Sequence, residues 1–264
     1  MEVQVLFRED RSSLSEKSIA DQFGYVVSKR SMIQAKSLVI PRYSLLPFAY
    51  ETLEDIKYLG GIPINDYNQY LYIADLKNWV SDLKDFTPKT YSDFYLLSDN
   101  SSYVIKGETN SKKFLWESHM FASNKKEAIR IQGELLKDSL FEQQQIYARE
   151  YVPLKTYYKG LGGLPVTKEF RFFILYGKVV SSGFYWSDHI DSLREQGINP
   201  DVSDVPEAFL QKIINIIGDK NNFYVIDVAE TDSGEWIVIE LNAGEMSGLS
   251  ECSPENLYKN IFAL

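Results

Sequence analysis

Short apolar runs alternate with polar, helix-spaced stretches through the first third of the chain. Residues 2–7 read as a strand, Ser12–Phe23 as a helix, Tyr25–Val27 as a second strand, and Ser37–Ile40 as a third that Pro41 ends. Glu51–Tyr58 is the next helix, stopped by Gly60-Gly61, and Ile62–Ile64 runs extended behind it. Ile73, Leu76, Val80 and Leu83 recur at helical spacing and predict one helix over Tyr72–Leu83, its apolar stripe packed into a core. Strands alternating with helices predict a small α/β layer with a mainly parallel sheet. Phe86–Thr90 then reads as a linker.

Beyond Tyr91 the spacing changes. Ser102–Gly107 is a strand ending on Lys106 and Gly107, the polar loop 108–113 follows, and Phe114–Trp116 is expected to return as a strand. Asn124-x-x-Glu127 is a capping box that opens a helix to about Lys137. Gln144–Val152 reads as a strand, and Glu169–Leu175 with Lys178–Trp186 as a hairpin around Tyr176-Gly177. Pro206–Gly218 is a helix with proline near its first position, and Glu255–Phe262 is a short closing helix after a loop-like stretch. Between those helices, Phe223–Val228 and Trp236–Asn242 form a hairpin across Thr231–Gly234.

Composition changes this picture mainly by exclusion. Of 264 residues, 44% are hydrophobic and 14% aromatic, enough for a sizeable core. A net charge of −9 argues against a general nucleic-acid or anionic-membrane binder, while leaving room for a local basic cleft. A single cysteine, Cys252, rules out an internal disulfide and fits a reducing cytoplasm. Two histidines, His119 and His189, are too few for a histidine-rich metal centre. No apolar run approaches the roughly 20 residues of a spanning helix, and residues 1–7 lack the basic start of a signal peptide. A cytoplasmic protein with neither membrane nor nucleic-acid partner is the expectation.

The hairpin at 223–242 carries the most telling chemistry. Side chains alternate along a strand, so Glu240 and Asn242 share a face. With the turn centred on Asp232-Ser233, Asp227 lies opposite Val238 and diagonal to Glu240, on that same face. Two carboxylates and an amide converging there call for a cation, and all-oxygen ligation suits Mg²⁺ or Mn²⁺ rather than zinc. Solvated acids at strand ends are the plainer alternative. Lys106 enters from an apolar strand and needs an anionic partner, in a phosphate or otherwise. Lys112 and Lys113 read locally as a solvated turn. Arg149–Val152 fits either an edge strand or the donor–acceptor edge of an adenine site. Glu169 and Arg171 share a strand face between phenylalanines, where Arg171 is either a structural ion-pair partner or an anion clamp.

Taken in order, Val104–Gly107 with its loop, Arg149–Val152, Glu169–Arg171, Asp227 and Ile239–Asn242 resemble the ATP-grasp superfamily over about residues 90–250. The similarity is greatest to a clade marked by arginine and lysine in bacteria and phages. The resemblance implies an α+β ATP-grasp fold, two subdomains (91–153 and 154–264) clasping ATP, preceded by a small α/β domain over 1–90. It implies that Lys106 meets the α- or β-phosphate and that Lys112 or Lys113 sits in the loop closing over the nucleotide. It places adenine against Glu150, Tyr151 and Val152, gives Glu169 to the nucleotide site, faces Arg171 toward the transferred phosphoryl group, and gives Mg²⁺ to Asp227, Glu240 and Asn242. The implied reaction is ATP-dependent carboxylate–amine ligation through an acyl phosphate, with small-molecule or peptide carboxylate and amine substrates; the alternatives are a kinase of the same fold with a hydroxyl acceptor and a non-catalytic ATP-binding interaction module. The loop after Lys106 departs from the family in not being glycine-rich.

Overall fold

A computed structural model describes residues 1–8, 14–109, 111–139, 141 and 144–264. Ser12 and Ser13 at the expected start of the first helix, and Asn110 in the polar loop, lie outside the described residues. The first layer contains β1 (Val3–Leu6), α1 (Leu14–Ala20), β2 (Tyr25–Val27), β3 (Leu38–Pro41), α2 (Ala49–Tyr58) and β4 (Ile62–Pro63). Its four strands form a parallel sheet in the order β2-β1-β3-β4. Every residue of β1 and β3 is buried, as expected of parallel strands covered on both faces.

The stripe at Ile73–Leu83 does not make one helix. It is divided between α3 (Tyr67–Ala74) and α4 (Leu76–Val80). The break has a local cause: Asp75 takes an extended conformation, and its carboxylate accepts from the Lys77 N–H as the N-cap of α4. Ile73, Leu76, Trp79 and Leu83 are still buried together, so the apolar spacing holds although the helix does not.

The second layer is an antiparallel sheet, β5-β8-β6-β7. Its strands are β5 (Thr90–Tyr91), β6 (Tyr103–Gly107), β7 (Phe121–Ala122) and β8 (Ile146–Glu150), and α5 (Lys125–Leu135) covers one face. Phe114–Trp116 is not the return strand. Lys113–Leu115 is a 3₁₀ turn running into a π-helical turn over Trp116–Met120, and the chain pairs with β6 only from Phe121. The 86–90 segment is no slack linker: Val238 N–H donates to Phe86 O at 2.7 Å, and Thr90 pairs with Arg149.

A small hairpin, β9 (Thr156–Lys159) and β10 (Pro165–Thr167), leads into the third layer. There, β11 (Glu169–Leu175), β12 (Lys178–Phe184), β13 (Phe223–Glu230) and β14 (Trp236–Ala243) form an antiparallel sheet ordered β12-β11-β13-β14, with α6 (Ile190–Glu195), α7 (Glu207–Ile217) and α8 (Pro254–Ile261) between or after them. One face is wholly apolar: Phe170, Phe172, Tyr224, Ile226, Val228 and Leu241 pack into the same core as Leu210, Ile213, Ile214 and Ile217 of α7. The opposite face is divided. Its lower half, Phe173, Leu175, Phe223 and Val225, is covered by Leu257, Tyr258 and Ile261 of α8 together with Val3, Val5, Leu38 and Ile40 of the first layer. Its upper half carries the charged residues.

Two buried polar side chains fasten the first layer to the loop after β14. Arg42 donates to Ser247 O at 3.0 Å and pairs with Glu16, while Asn65 donates to Glu245 Oε1 at 2.8 Å. Glu245 is 1% exposed and its Oε2 has no described partner. Burial pushes this carboxyl up to about 7, although Asn65 and Arg42 pull the other way. An acid whose folded-state value is raised from 4.5 binds a proton that the unfolded chain has released, so stability falls as pH rises between those values and is level above them. The difference of roughly 2.5 units corresponds to about 3 kcal/mol. Glu245→Gln keeps the bond from Asn65 and should remove this slope. Urea denaturation near pH 5 and near pH 8 measures it, and an equal slope in both proteins would refute the assignment.

Candidate active site

The upper half of the divided face is built by register. Arg171 lies opposite Asp227, and Asp227 opposite Glu240; Val225, two residues along, lies opposite Asn242. Residues opposite one another share a face, so Glu169, Arg171, Asp227, Glu240 and Asn242 all project to the same side. The pairing differs from the Asp227–Val238 register read from the sequence. A bulge follows Asp227, so that Val228 is the partner of Val238 and Ile239 has none. The bulge brings Glu240 directly beside Asp227 and leaves the Ile239 carbonyl to accept from the Arg149 guanidinium.

Asp227 is fully buried and Arg171 is 8% exposed. Their contact is bidentate: Arg171 Nε and Nη2 donate to the two Asp227 oxygens, each at 2.8 Å. Arg171 Nη1 also donates to Gly248 O at 2.7 Å, and the guanidinium lies 4.8 Å from the Tyr185 ring centroid. A guanidinium has five N–H donors, so two remain after these contacts. Of the two local readings of Arg171, the structure shows the structural ion pair.

The facing wall comes from the second layer. Ile105 and Ala148 point into the core beneath α5, which turns Lys106 and Arg149 to the other side. Lys106 is buried and pairs with Glu240 across the cleft. Burial lowers the Lys106 pKa against the pull of Glu240. Burial also opposes the charge on Glu240, but Lys106, Lys113 and Arg149 outweigh it and hold that carboxyl down at about 2. Arg149 is 5% exposed, and its Nε has no described partner. Burial pulls it down to about 10, with Glu240 opposing.

Between these walls lies a cleft of about 880 Å³, its open mouth included. This is the scale of a site for a nucleotide-sized ligand. One end is apolar, with Val104, Met120, Tyr151, Val152, Leu154, Leu164 and Ile239; the other carries Lys106, Lys113, Arg149, Glu169 and Glu240. Burial pushes Glu169 up to about 7, with Lys113 countering and Asp227 adding to the rise. Glu150, Tyr151 and Val152 run along the apolar end, but the N–H groups of Glu150 and Tyr151 already donate to Lys89 O and Ser102 O, each at 2.8 Å. The Glu150 carboxylate accepts from the Tyr91 hydroxyl at 2.7 Å. The Val152 backbone is the remaining edge of that segment.

The two loop lysines part company. Lys113 lines the cleft, contacts the Tyr185 hydroxyl, and lies 4.3 Å from the Tyr185 ring centroid. Lys112 turns out of it, pairing with Asp138 and lying 5.9 Å from the Phe141 ring centroid. The solvated-turn reading thus describes neither side chain. Sequence reading also missed Arg149 as a cleft cation and missed the β9–β10 hairpin that covers the apolar end. The alternation Tyr147-Ala148-Arg149 beside the Lys106 strand was the available signal for the first. Gly162 and Gly163 were the signal for the second: both have positive φ, and a Cβ on Gly163 would stand 2.2 Å from the Glu117 carboxylate.

Among the described residues no group of three or more His, Cys, Asp and Glu is placed to hold a metal, so the oxygen donors are two carboxylates and one amide. All three are hard oxygen donors on one face, and a Lys106 ammonium and an Arg171 guanidinium already rest against the carboxylates. A site that draws cations to these oxygens fits Mg²⁺ or Mn²⁺. Asn242 Nδ2 donates to Asp227 Oδ2 at 3.3 Å, which leaves its carbonyl oxygen outside that bond.

The fold has known counterparts. No curated protein sequence matches the chain. Among solved structures, the ATP-grasp ligase PsnB, complexed with a minimal precursor, Mg and ADP, is 10% identical with a TM-score of 0.60, covering 99% of this chain and 97% of its own. A RimK domain ATP-grasp protein from Sphaerobacter thermophilus is 12% identical with a TM-score of 0.60 over 98% and 99% of the two chains. D-cycloserine synthetase DcsG gives 12% identity and a TM-score of 0.61 over 99% and 98%. At such identities the likeness is one of fold. A family model for the ATP-grasp domain, describing family 3 of the clade marked by arginine and lysine, matches residues 97–261, more than half of the chain. The chain belongs to the ATP-grasp superfamily, in that arginine- and lysine-marked clade.

Proposed function

We propose that this protein is an ATP-dependent carboxylate–amine ligase. ATP phosphorylates a substrate carboxylate, releasing ADP; an amine then attacks the acyl carbon, phosphate leaves, and the amine loses a proton to give an amide or peptide bond. The observation that carries the reading is the divided sheet face, where Asp227, Glu240, Asn242 and Arg171 converge opposite Lys106 and Lys113 beside an apolar pocket.

On this reading, the pocket between Val104, Tyr151 and Ile239 takes adenine, with the Val152 backbone along its edge. Lys106, Arg149 and Lys113 neutralise the phosphates. Asp227, Glu240 and Asn242 would hold Mg²⁺ or Mn²⁺, which would supply positive charge beside the phosphates. Arg171 offers its two remaining N–H groups to the acyl phosphate from a mount fixed by Asp227 and Gly248. A second opening lined by Thr109, Lys113, Arg171, Asn242 and Gly248 meets the cleft at Glu240 and would admit the carboxylate and amine, whether small molecules or peptides. Residues 1–90 would then shape the substrate side, 91–153 hold the nucleotide, and 154–264 carry the metal face. The described residues contain no helix long and apolar enough to cross a membrane. The proposal assigns the enzyme to the cytoplasm, with no nucleic-acid partner.

Steady ADP release should require Mg²⁺ and the correct amino acid or peptide pair, and hydroxylamine should intercept the acyl phosphate as a hydroxamate. Glu240→Gln should lower turnover by about 10²–10³-fold, on the order of 3–4 kcal/mol in the barrier, the scale of one strong electrostatic contact. ADP release indifferent to that change would remove the metal assignment; a stable phosphoester in place of hydroxamate would remove the ligase.

Arg171 separates catalysis from folding. Arg171→Ala leaves Asp227 buried and uncompensated, and should cost about 3–5 kcal/mol of stability by chemical denaturation. Arg171→Lys retains the charge but not the fork, so it should recover most of that stability while leaving turnover depressed about a hundredfold. Full activity in Arg171→Lys would show that only charge is needed there.

A further inference from the structure

Two arginines from different layers hold consecutive carbonyls of the loop after β14. Arg42 follows β3 in the first layer and donates from Nη2 to Ser247 O at 3.0 Å. Arg171 of β11 donates from Nη1 to Gly248 O at 2.7 Å. Arg42 Nη1 also donates to Gly244 O, so one guanidinium spans both ends of the 244–247 turn. Its other edge faces Glu16 of α1, which accepts from Nε at 3.0 Å and from Nη2 at 2.7 Å. The same guanidinium lies 5.8 Å from the Phe173 ring centroid. Phe173 is two residues from Arg171 on β11 and shares its face, so Arg42 reaches the covered half of the sheet one side-chain place away from Arg171.

Little else sets the direction of the Gly248 carbonyl. The N–H groups of Met246 and Ser247 both donate to Ala243 O at 3.2 Å, and the Ser247 hydroxyl donates to the same oxygen at 2.8 Å. Beyond them, the N–H groups of Gly248, Leu249 and Ser250 make no backbone hydrogen bond among the described residues. Leu249 rests against the lower core, but apolar contact is not directional. The carbonyl that mounts Arg171 therefore depends on where Arg42 holds the Ser247 carbonyl one residue before it. Joining two layers needs no such fork, since apolar residues of similar volume serve as well. A planar guanidinium adds direction. Ser247 and Gly248 line the second opening, whereas none of residues 244–248 is among those lining the nucleotide cleft.

We infer, on the role proposed above for Arg171, that Arg42 is a positioning residue for the ligation step. By gripping Gly244 O and Ser247 O it places Gly248 O, and through that carbonyl it sets how Arg171 presents its two remaining N–H groups to the second opening. The first layer thus enters the chemistry without touching the reacting atoms.

Arg42→Lys keeps a positive charge beside Glu16, but its single nitrogen cannot meet Glu16 and both carbonyls. In the full chain its turnover at saturating substrates should fall about tenfold or more, the scale of a misplaced catalytic contact. Its KM for ATP should stay within about twofold, because the nucleotide cleft is untouched. A double-mutant cycle separates positioning from stability. In Arg171→Lys the fork is already lost, so adding Arg42→Lys should lower turnover by less than about twofold while lowering the urea midpoint as much as it does alone. Equal fold-losses of turnover in the two backgrounds would overturn the inference. Should Arg42→Lys unfold, Ser247→Ala frees the same turn from Ala243 O and should show the same non-additivity with Arg171→Lys. A crystal structure of the folded variant measures the mount without any turnover. Arg171 Nη1 and Gly248 O should stand more than about 3.5 Å apart, outside hydrogen-bond reach, while both Asp227 bonds remain. An unmoved Gly248 carbonyl would overturn the positioning role even in an active ligase. No ADP release from the unaltered protein, with any acceptor, would instead remove the ligase reading and with it the catalytic role given to Arg42.

Discussion

The arrangement depends on keeping one carboxylate charged where no water reaches it. Asp227 is fully buried in the middle of a sheet whose other face is a continuous apolar core. An isolated carboxylate there would cost far more than a domain's whole stability margin. The Arg171 fork meets it at both oxygens from the adjacent strand, so each oxygen accepts a charge-assisted bond. Once that pair stands in the sheet, α8 and the first layer can cover only the lower half of the same face, because apolar cover over Arg171 would strand its remaining donors. The cleft opens where the cover ends.

Charge in the cleft is unbalanced in one direction. Lys106, Lys113 and Arg149 surround a single ionised partner, Glu240, while burial holds neighbouring Glu169 near neutrality, at about 7. The described Arg149 contacts are a carbonyl, a hydroxyl and an aromatic ring, none carrying charge. Burial of Lys106 and Arg149 costs energy, and it lowers their values below those of free side chains, with Glu240 opposing. A polyanion entering the cleft would recover that cost, and a triphosphate has the charge and the length to meet all three.

Much of this was legible in the chain. Period-two alternation put Glu240 and Asn242 on one face and Glu169 with Arg171 on another strand, and the apolar neighbours of each marked them as enclosed. The bulge after Asp227 was not legible, because Val238-Ile239-Glu240 contains no glycine or other mark of an extra residue. Its effect is decisive, since it moves Glu240 from a diagonal to a direct neighbour of Asp227. Phe114–Trp116 misled for a related reason: three apolar residues after a polar loop suit a strand or a turn of helix, and contact with the β9–β10 hairpin selects the helix. Asp75 hid inside a sound helical stripe because the core constrains where side chains point, not whether the backbone between them is continuous.

The two walls are joined by direct contacts. Lys106 reaches Glu240, Arg149 reaches the Ile239 carbonyl, and Thr87 donates to Val238 O at 2.8 Å. The last of these is independent of any ligand and can hold the walls in place. The Lys106–Glu240 pair is different, since each partner is also the group proposed to meet a component of the metal–nucleotide complex. Entry of that complex would divide the pair, giving the ammonium a phosphate and the carboxylate an ion. One charged contact becomes two, and the desolvation of both groups has been met in advance by the fold.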